Sequence, residues 1–204
     1  RWIARDSDGG VIASAPVAIL ANACGAMRLA SIDQPLGLTR GQIATIPASA
    51  MSDLNAVVAG NGYVTPATGT SATAGATHDD DVTSAPSDSS HREIVARVTD
   101  MIPSLLETLS SLPTTGSVAF RSVTPDHLPI IGAIPDIGEA HSLGASLPGL
   151  AVTRLPRIAG LYGAFGFGSR GLLWGAMSGE VIAALLEGEP MPLEAALCDA
   201  IDPG

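Results

Sequence analysis

Residues 160–186 read GLYGAFGFGSRGLLWGAMSGEVIAALL. The first part is apolar and rich in glycine, which predicts a strand over 160–167, and the second part is an apolar run that predicts a helix over 172–186. Between them, Gly166, Gly168 and Gly171 form the pattern G-x-G-x-x-G. Glycines allow close approach of a ligand or of another backbone, and a helix N-terminus carries a partial charge of about +0.5.

This pattern also occurs in dinucleotide-binding proteins, but the flanking sequence does not support that function. A dinucleotide-binding unit needs a second parallel strand after the helix, with Asp or Glu about 20 residues further on. In this chain the helix is followed by the turn-forming sequence EGEPMP at residues 187–192. The sequence therefore favours two other interpretations over a nucleotide phosphate: an anionic or polar ligand at the helix start, or close packing of the strand on the helix.

The composition is that of a folded, acidic chain. The 204 residues are 46% hydrophobic and 15% charged, which excludes global disorder and suits one or two domains. Twenty acidic residues stand against ten Lys or Arg, all of them arginine, so a lysine Schiff base is excluded and the net charge of −10 disfavours non-specific nucleic-acid binding. With two distant cysteines and no apolar run of about 18 residues, we expect a cytoplasmic protein outside the membrane.

The remaining patterns predict mainly strands with fewer helices, in an α+β or α/β fold. Residues 15–24 form an apolar run typical of a strand buried on both faces. Residues 91–110 have helical spacing, with Ser90 as the expected N-cap, Glu93 as its capping-box partner and a break at Pro103. The other predicted elements are a hairpin over 1–12, strands over 40–47, 56–63, 117–123 and 128–134, a hairpin and solvated loop over 65–90, and a short helix after 188.

Two arginines lie on or beside apolar strands, where an unpaired guanidinium is costly to bury. Arg121 is inside the strand predicted over 117–123, and Arg170 follows the glycine-rich strand. Each is expected to form an internal salt bridge, with Asp126 or Glu180, or to bind a carboxylate of a ligand through its planar fork.

Other polar and aromatic residues have weaker signals. The sequence HDDD at residues 78–81 has the residue types of a metal site, but four adjacent side chains cannot converge on one ion, so a solvated loop is expected. Tyr63 and Tyr162 follow glycines at strand ends and either line a pocket or pack at the rim of the core, and Trp174 is expected in the core. No pattern of a serine or cysteine nucleophile is present in the sequence.

Several of these segments, in this order, resemble the glycine oxidase and D-amino-acid oxidase family of flavoproteins. They are AILANACGA at 18–26, RGQ at 40–42, NGYVTP at 61–66 with GAT at 75–77, and FRSVTPDHLPIIG at 120–132. The last third is similar to a narrower group, the flavin-dependent half of bifunctional enzymes that modify the wobble uridine of tRNA. The segments that carry this second resemblance are GSRGL at 168–172, GEVIA at 179–183, GEPMPL at 188–193 and IDP at 201–203.

The resemblance implies an FAD domain, residues 1–30 and 123–204, interrupted by a substrate-binding domain over residues 31–122. The segment that binds the FAD pyrophosphate, and a methyltransferase domain, would then precede Arg1. The implied FAD contacts are Asn22, Gly25, Gly166, Gly168, Ser169, Arg170, Gly171 and Leu172. The implied substrate contacts are Arg121, Tyr63 and Tyr162, with Arg121 and Arg170 as the catalytic candidates and no metal.

The implied reaction is oxidation of the C–N bond in 5-carboxymethylaminomethyl-(2-thio)uridine at the tRNA wobble position, which leaves the aminomethyl form. Arg121 would hold the substrate carboxylate, and Arg170 would add positive charge near the flavin or the substrate. No general base is needed if the amine is bound deprotonated. Two alternatives stay open: an oxidase or dehydrogenase of free glycine or D-amino acids with the same fold, and a non-catalytic binding module.

Overall fold

The structure is a computed structural model that describes residues 1–30, 35–113, 115–143 and 151–204. The chain divides into two compact units. One, which we call the split unit, consists of Arg1–Gly37 and Ser122–Gly204, and the other, the inserted unit, is Leu38–Arg121. Among the described residues, the inserted unit has one sheet and one hydrophobic cluster and the split unit has two of each; each unit is described by itself.

The described strands and helices follow one another in a mixed order. They are β1 (Trp2–Arg5), β2 (Val11–Ala15), β3 (Ala18–Leu20), α1 (Gly25–Ala30), β4 (Gly37–Pro47), β5 (Val58–Ala59), β6 (Tyr63–Val64), β7 (Ser71–Gly75), α2 (Asp88–Met101), α3 (Leu106–Ser110), β8 (Gly116–Val123), β9 (Ile130–Pro135), α4 (Ile137–Ser142), β10 (Arg157–Phe165), α5 (Gly171–Glu187) and α6 (Ala195–Ile201). Short 3-10 helices occur at Ala48–Ala50, Pro103–Leu105, Val152–Arg154 and Gly168–Arg170. This mixture confirms the predicted fold class.

The split unit is built on a three-stranded sheet in the order β3-β10-β9. β10 is parallel to β3 and antiparallel to β9. Because side chains alternate between the faces of a strand, Ile130 and Ile134 contribute to one buried cluster and Ile131 to the other. The second cluster also contains Val181 and Ile182 of α5, so the predicted strand–turn–helix is confirmed as β10, a turn and α5.

Helix α5 is long and has a defined end. It runs over 17 residues and stops at Gly188, whose φ of 69° is in the left-handed region that favours glycine at a helix C-terminus. The Gly188 N–H donates to the carbonyl of Ala184, which satisfies one of the last carbonyl groups of the helix. Trp174 is half-buried against the cluster of Ile131 and Val181, as expected for a core residue.

The prediction of a long strand buried on both faces over residues 15–24 is wrong. Only Ala18–Leu20 is a strand, and Ile19 is 48% exposed. Among the described residues, β3 pairs with β10 alone and therefore forms an edge of its sheet. The strand ends because the chain turns at Ala23, whose φ is 54°, so that the Gly25 N–H donates to the Asn22 carbonyl.

The inserted unit is built on a five-stranded sheet in the order β5-β6-β7-β4-β8. Its pairs β5–β6, β6–β7 and β7–β4 are antiparallel. The single strand predicted over 56–63 is wrong: this segment contains β5 and the turn that leads into β6. The Gly60 N–H donates to the Gly62 carbonyl at 2.8 Å, so the two glycines close a hairpin where the sequence was interpreted as continuous.

Helix α2 packs on this sheet through Ile94 and Val98, which are buried with Ala44 and Ile46 of β4. The helix breaks before Pro103, as predicted, but its N-cap is Ser87 and not Ser90. The N–H of Ser90 donates to the Ser87 hydroxyl at 3.2 Å.

A long-range contact selects Ser87 as the N-cap. The Gln42 side chain accepts from the Ser87 N–H at 2.8 Å and donates to the Ser87 carbonyl at 3.0 Å. Several neighbouring serines could cap this helix, and Ser87 is the one whose backbone is held by Gln42 of strand β4. Glu93 pairs with Arg97 one turn further along the helix instead of completing a capping box at Ser90.

Candidate functional site

The turn between β10 and α5 has the backbone geometry that its glycines suggested. Gly166 and Gly168 have φ values of 74° and 54°, where a side chain is strained. A Cβ atom at Gly166 would also come within 3.2 Å of the Thr124 methyl carbon. The first two glycines of the pattern are therefore explained by the conformation of the turn.

The third glycine, Gly171, is not explained by packing. A Cβ atom at this position would meet no described atom within 4 Å, and the next residue, Leu172, is 99% exposed. Close packing of strand on helix therefore does not account for Gly171, and the start of the helix is uncovered among the described residues. Arg170 is exposed beside this helix start.

The predicted salt bridge between Arg170 and Glu180 does not form among the described residues. Among the described residues of the split unit, the ion pair is between Arg157 and Asp202, at 2.8 Å. Glu180 lies ten residues beyond Arg170, which is about 15 Å along a helix axis. Arg170 thus contributes a charge that no carboxylate of the described split unit neutralises.

A second segment meets this turn at the same edge of the sheet. In the parallel pair β3–β10, Leu20 lies opposite Gly163, so the chain leaves both strands at the same end. Asn22 and Gly25 follow β3, and a Cβ atom at Gly25 would lie 2.7 Å from the Asn22 amide nitrogen. The carboxyl ends of parallel strands are where ligands bind in α/β proteins. The predicted FAD contacts of the split unit are therefore brought to one edge.

Tyr162 lies elsewhere in the same sheet. It is half-buried on β10, opposite Ala133 of β9, and packs against the cluster of Val181 and Ile182. Its ring therefore has the rim-packing environment that was one of its two expected roles.

In the inserted unit, Arg121 of β8 has an open guanidinium. The side chain is half-buried, and its Nη1 donates to the Thr77 carbonyl over a long 3.3 Å. Among the described residues of this unit, no carboxylate pairs with Arg121. Asp126, one of the predicted partners, belongs to the split unit, where it accepts the Leu128 N–H at 3.0 Å. This Leu128 amide, followed by the Thr124 hydroxyl, lowers the pKa of Asp126.

Tyr63 lies close to the same segment. It is half-buried on β6, opposite Gly75 of β7, and a Cβ atom at Gly75 would come within 2.9 Å of its hydroxyl oxygen. The segment 75–77 therefore contacts both Tyr63 and Arg121. The structure brings these two predicted substrate contacts to one short piece of backbone in the inserted unit.

Arg40 is a buried arginine at the centre of a polar network, and the sequence analysis did not predict this network. Its side chain is 0% exposed, and each of its five N–H groups has an acceptor. The acceptors are the Asp79 carboxylate, the Ser90 hydroxyl, the Gln42 amide oxygen and the carbonyls of Thr83 and Ala85. Arg40 is therefore saturated by its own unit, whereas Arg121 is not.

The acidic segment 78–81 is only partly the solvated loop that was expected. Asp79 is half-buried because its carboxylate pairs with Arg40 at 2.8 Å, whereas Asp80 and Asp81 are exposed. A hydrogen bond from Thr83, with Arg40 as a smaller contribution, lowers the pKa of Asp81. Throughout the part of the chain that the structure describes, no group of three or more His, Cys, Asp or Glu could hold a metal ion. In the same residues, no helix is long and apolar enough to cross a membrane.

Comparison with known families shows the class of protein to which the chain belongs. The family described as FAD dependent oxidoreductase, DAO, matches residues 1–185, and the chain belongs to this family. The predicted resemblance is thereby confirmed.

Particular relatives are longer proteins. The chain is 43% identical over 205 residues to the tRNA 5-methylaminomethyl-2-thiouridine biosynthesis bifunctional protein of Burkholderia vietnamiensis, and 44% identical over 205 residues to that of Burkholderia lata. The matches cover 99% of this chain but 31% and 32% of those proteins. The chain thus spans about a third of the length of these curated relatives.

Solved structures share the fold. Iminodiacetate oxidase from Chelativorans sp. BNC1 has a TM-score of 0.69 at 21% identity, with 97% of this chain and 48% of that one covered. Glycine oxidase from Geobacillus kaustophilus also has a TM-score of 0.69, at 19% identity, with 96% and 47% covered. At these identities the likeness shows the fold alone.

Proposed function

We propose that this chain is part of an FAD-dependent oxidoreductase that oxidises the C–N bond of a carboxymethylamino group. The substrate we propose is 5-carboxymethylaminomethyl-(2-thio)uridine at the wobble position of a tRNA, which is converted to the aminomethyl form in the cytoplasm. The observation that carries this function is the Arg121 guanidinium, which is half-exposed and lacks a carboxylate partner within the described inserted unit. The names of the relatives at 43% and 44% identity, which refer to biosynthesis of a modified tRNA uridine, support the choice of a tRNA nucleoside.

The split unit offers a suitable place for part of FAD. Left-handed Gly166 and Gly168 bring backbone close to one edge of the sheet, and the uncovered start of α5 directs N–H groups there. Asn22, Gly25, Ser169, Arg170, Gly171 and Leu172 complete the set of residues proposed to hold it. Helix N–H groups and the Arg170 charge would stabilise negative charge at this edge. FAD, when bound, supplies the acceptor for the two electrons of the oxidation.

The inserted unit is proposed to bind the substrate. Arg121 would pair with the substrate carboxylate, since a guanidinium fork matches a carboxylate in two parallel hydrogen bonds. Tyr63, which lies beside the same backbone segment of this unit, would bound the site. Loss of a hydride, that is two electrons and one proton, from the CH2 carbon converts the neutral amine to a protonated imine, and addition of water then releases glyoxylate and leaves the aminomethyl nucleoside. An amine bound in its deprotonated form needs no protein base for this oxidation, and none is proposed.

Free amino acids are the second candidate substrates. Glycine and iminodiacetate, after which two of the structural relatives are named, carry the same N–CH2–COO⁻ unit as the proposed nucleoside. Because Arg121 would recognise the carboxylate alone, its geometry suits either substrate. The size of the group attached to nitrogen, and not the reacting unit, distinguishes the two candidates.

Product analysis tests the proposal. The complete flavoprotein is incubated with tRNA that carries 5-carboxymethylaminomethyluridine, and the nucleosides are analysed by mass spectrometry, with the same tRNA lacking the modification as the control. We expect loss of the carboxymethyl group from the modified nucleoside and formation of glyoxylate. No change in the nucleoside, together with flavin reduction by glycine, iminodiacetate or a D-amino acid, would instead establish the second candidate. A flavin that neither substrate reduces would exclude both.

A further inference from the structure

Gly41 of β4 lies directly beneath the guanidinium of Arg121. A Cβ atom at Gly41 would lie 2.1 Å from Nη1 and 2.5 Å from both Cζ and Nη2 of Arg121. The space that a side chain at position 41 would occupy is therefore filled by the guanidinium. The backbone of Gly41 is outside the left-handed region, so its conformation does not require glycine. What requires glycine at this position is the guanidinium.

One edge of the guanidinium is held by Thr77. The Thr77 carbonyl accepts from Arg121 Nη1, and Thr77 itself is buried and fixed on several sides. Its N–H donates to the Gln42 carbonyl at 3.1 Å, and its hydroxyl accepts from the Gln42 N–H at 3.1 Å. Since Gln42 follows Gly41, the same piece of β4 both provides the space for Arg121 and fixes the acceptor that orients it.

The saturated Arg40 network extends this support. The Thr77 hydroxyl donates to Asp79 Oδ2 at 2.8 Å, and the same oxygen accepts from Arg40 Nη1 at 2.8 Å. The charges of Arg40 and Asp79 offset each other, so the network orients Arg121 without supplying it with a counter-ion of its own. The fork of Arg121 stays available for a ligand.

We infer that Gly41 and Thr77 are positioning residues for the carboxylate site: they hold the Arg121 guanidinium in one orientation, with part of its fork open to the substrate. This inference rests on the proposed function, in which Arg121 binds the substrate carboxylate. A planar fork gives two parallel hydrogen bonds only when its orientation is fixed, and loss of that orientation weakens binding of the charged group specifically.

The decisive variant is Gly41→Ala. The atoms that its Cβ would meet are the far end of a flexible side chain, so we expect Arg121 to swing aside and the protein to fold. Gly37→Ala is the matched control on the same strand, because its Cβ would make an ordinary contact of 3.6 Å with the Val123 carbonyl. Thr77→Val and Thr77→Ser form a second pair, in which only serine keeps the hydroxyl that fixes the acceptor.

Binding is measured in the complete, FAD-loaded protein with methoxyacetate and its uncharged amide, methoxyacetamide, as probes that perturb the flavin spectrum. We expect Gly41→Ala to raise the Kd for methoxyacetate about tenfold or more, with little change for methoxyacetamide. The KM for substrate should rise more than kcat falls, and Gly37→Ala should resemble the wild type. Thr77→Val should weaken methoxyacetate binding, and Thr77→Ser should restore it.

The double variant Gly41→Ala/Arg121→Ala shows whether Gly41 acts through Arg121 or independently of it. If Gly41 acts through Arg121, Gly41→Ala adds nothing in the Arg121→Ala background, because the guanidinium is gone. An equal loss in both backgrounds, or a Gly41→Ala variant that binds methoxyacetate like Gly37→Ala, overturns the inference while leaving Arg121 as the clamp. If Arg121→Ala itself binds methoxyacetate normally, the clamp of the proposed function fails, and the positioning role fails with it.

Discussion

Arg40 Nη1 lies 2.8 Å from Asp79 Oδ2, and this ion pair is the charged centre of the inserted unit. The guanidinium is fully buried, whereas the Asp79 side chain is 28% exposed. Removing the Asp79 carboxylate therefore leaves the buried cation with Asp81 as its remaining ion-pair partner, and that carboxylate is more exposed and lies 3.7 Å from Arg40 Nε. The pair also fixes Thr77, so its integrity affects the orientation of Arg121.

We expect Asp79→Asn to lower the free energy of unfolding by about 2 kcal/mol, because the buried Arg40 charge is left with only the more distant and more exposed Asp81 as its counter-charge. Urea unfolding of the purified protein measures this loss. Asp80→Asn, which changes the exposed neighbour, should stay within about 0.5 kcal/mol of the wild type. Equal stability of the two variants would contradict a structural role for the pair.

Gly166→Ala should destabilise the split unit. With a φ of 74°, an alanine at this position costs about 1–2 kcal/mol, and the Thr124 methyl group at 3.2 Å adds to it. The measurement is the unfolding midpoint in urea. Gly179→Ala, in an open position on α5, serves as the control and should be neutral or stabilising. A neutral Gly166→Ala would show that the turn does not need its left-handed residue.

Gly171→Ala should separate stability from cofactor binding. Its Cβ would meet no described atom, so we expect unchanged unfolding of the flavin-free protein, but weaker retention of FAD if the helix start lies against the cofactor. Titration of the flavin-free protein with FAD measures the affinity. Gly175→Ala, one turn further along the helix and equally open, should change neither property. Unchanged FAD affinity in Gly171→Ala would argue against this part of the proposed FAD site.

Asp126 should make the protein more stable at neutral pH than in acid. Hydrogen bonds from Leu128 and Thr124 hold its folded-state pKa below the ordinary value of about 3.9. A carboxyl group with a lowered pKa stabilises the folded state above the unfolded-state pKa, and this contribution is lost as the pH falls through the lowered folded-state value. Asp126→Asn should thus have a lower urea midpoint at neutral pH, and the gap to the wild type should close in acid. A gap that is constant with pH would contradict this.

The sequence predicted well the elements that local patterns determine. The glycine-rich strand, its turn and the following helix lie where the periodicity placed them, because spacing and glycine conformation are local properties. The break before Pro103 followed from the missing N–H of proline.

What the sequence could not predict depends on distant partners. Ser87 and Ser90 are both good caps, and only the contact with Gln42, 45 residues away, selects Ser87. Arg40 lies in a polar strand segment whose acceptors come from residues 42–90, so its saturation was not visible in any local pattern. The RGQ segment at 40–42 indicated no role for Gly41 itself, because that role depends on a side chain of another strand.

A kinetic comparison of wild type and Arg121→Ala tests the central claim most directly, with wobble-modified tRNA as substrate and flavin content measured in the same samples. If Arg121 binds the carboxylate of a carboxymethylamino substrate in an FAD-dependent enzyme, kcat/KM falls about tenfold or more while flavin content is unchanged. Unchanged kinetics, or a loss of flavin that accounts for the whole loss of activity, would contradict it.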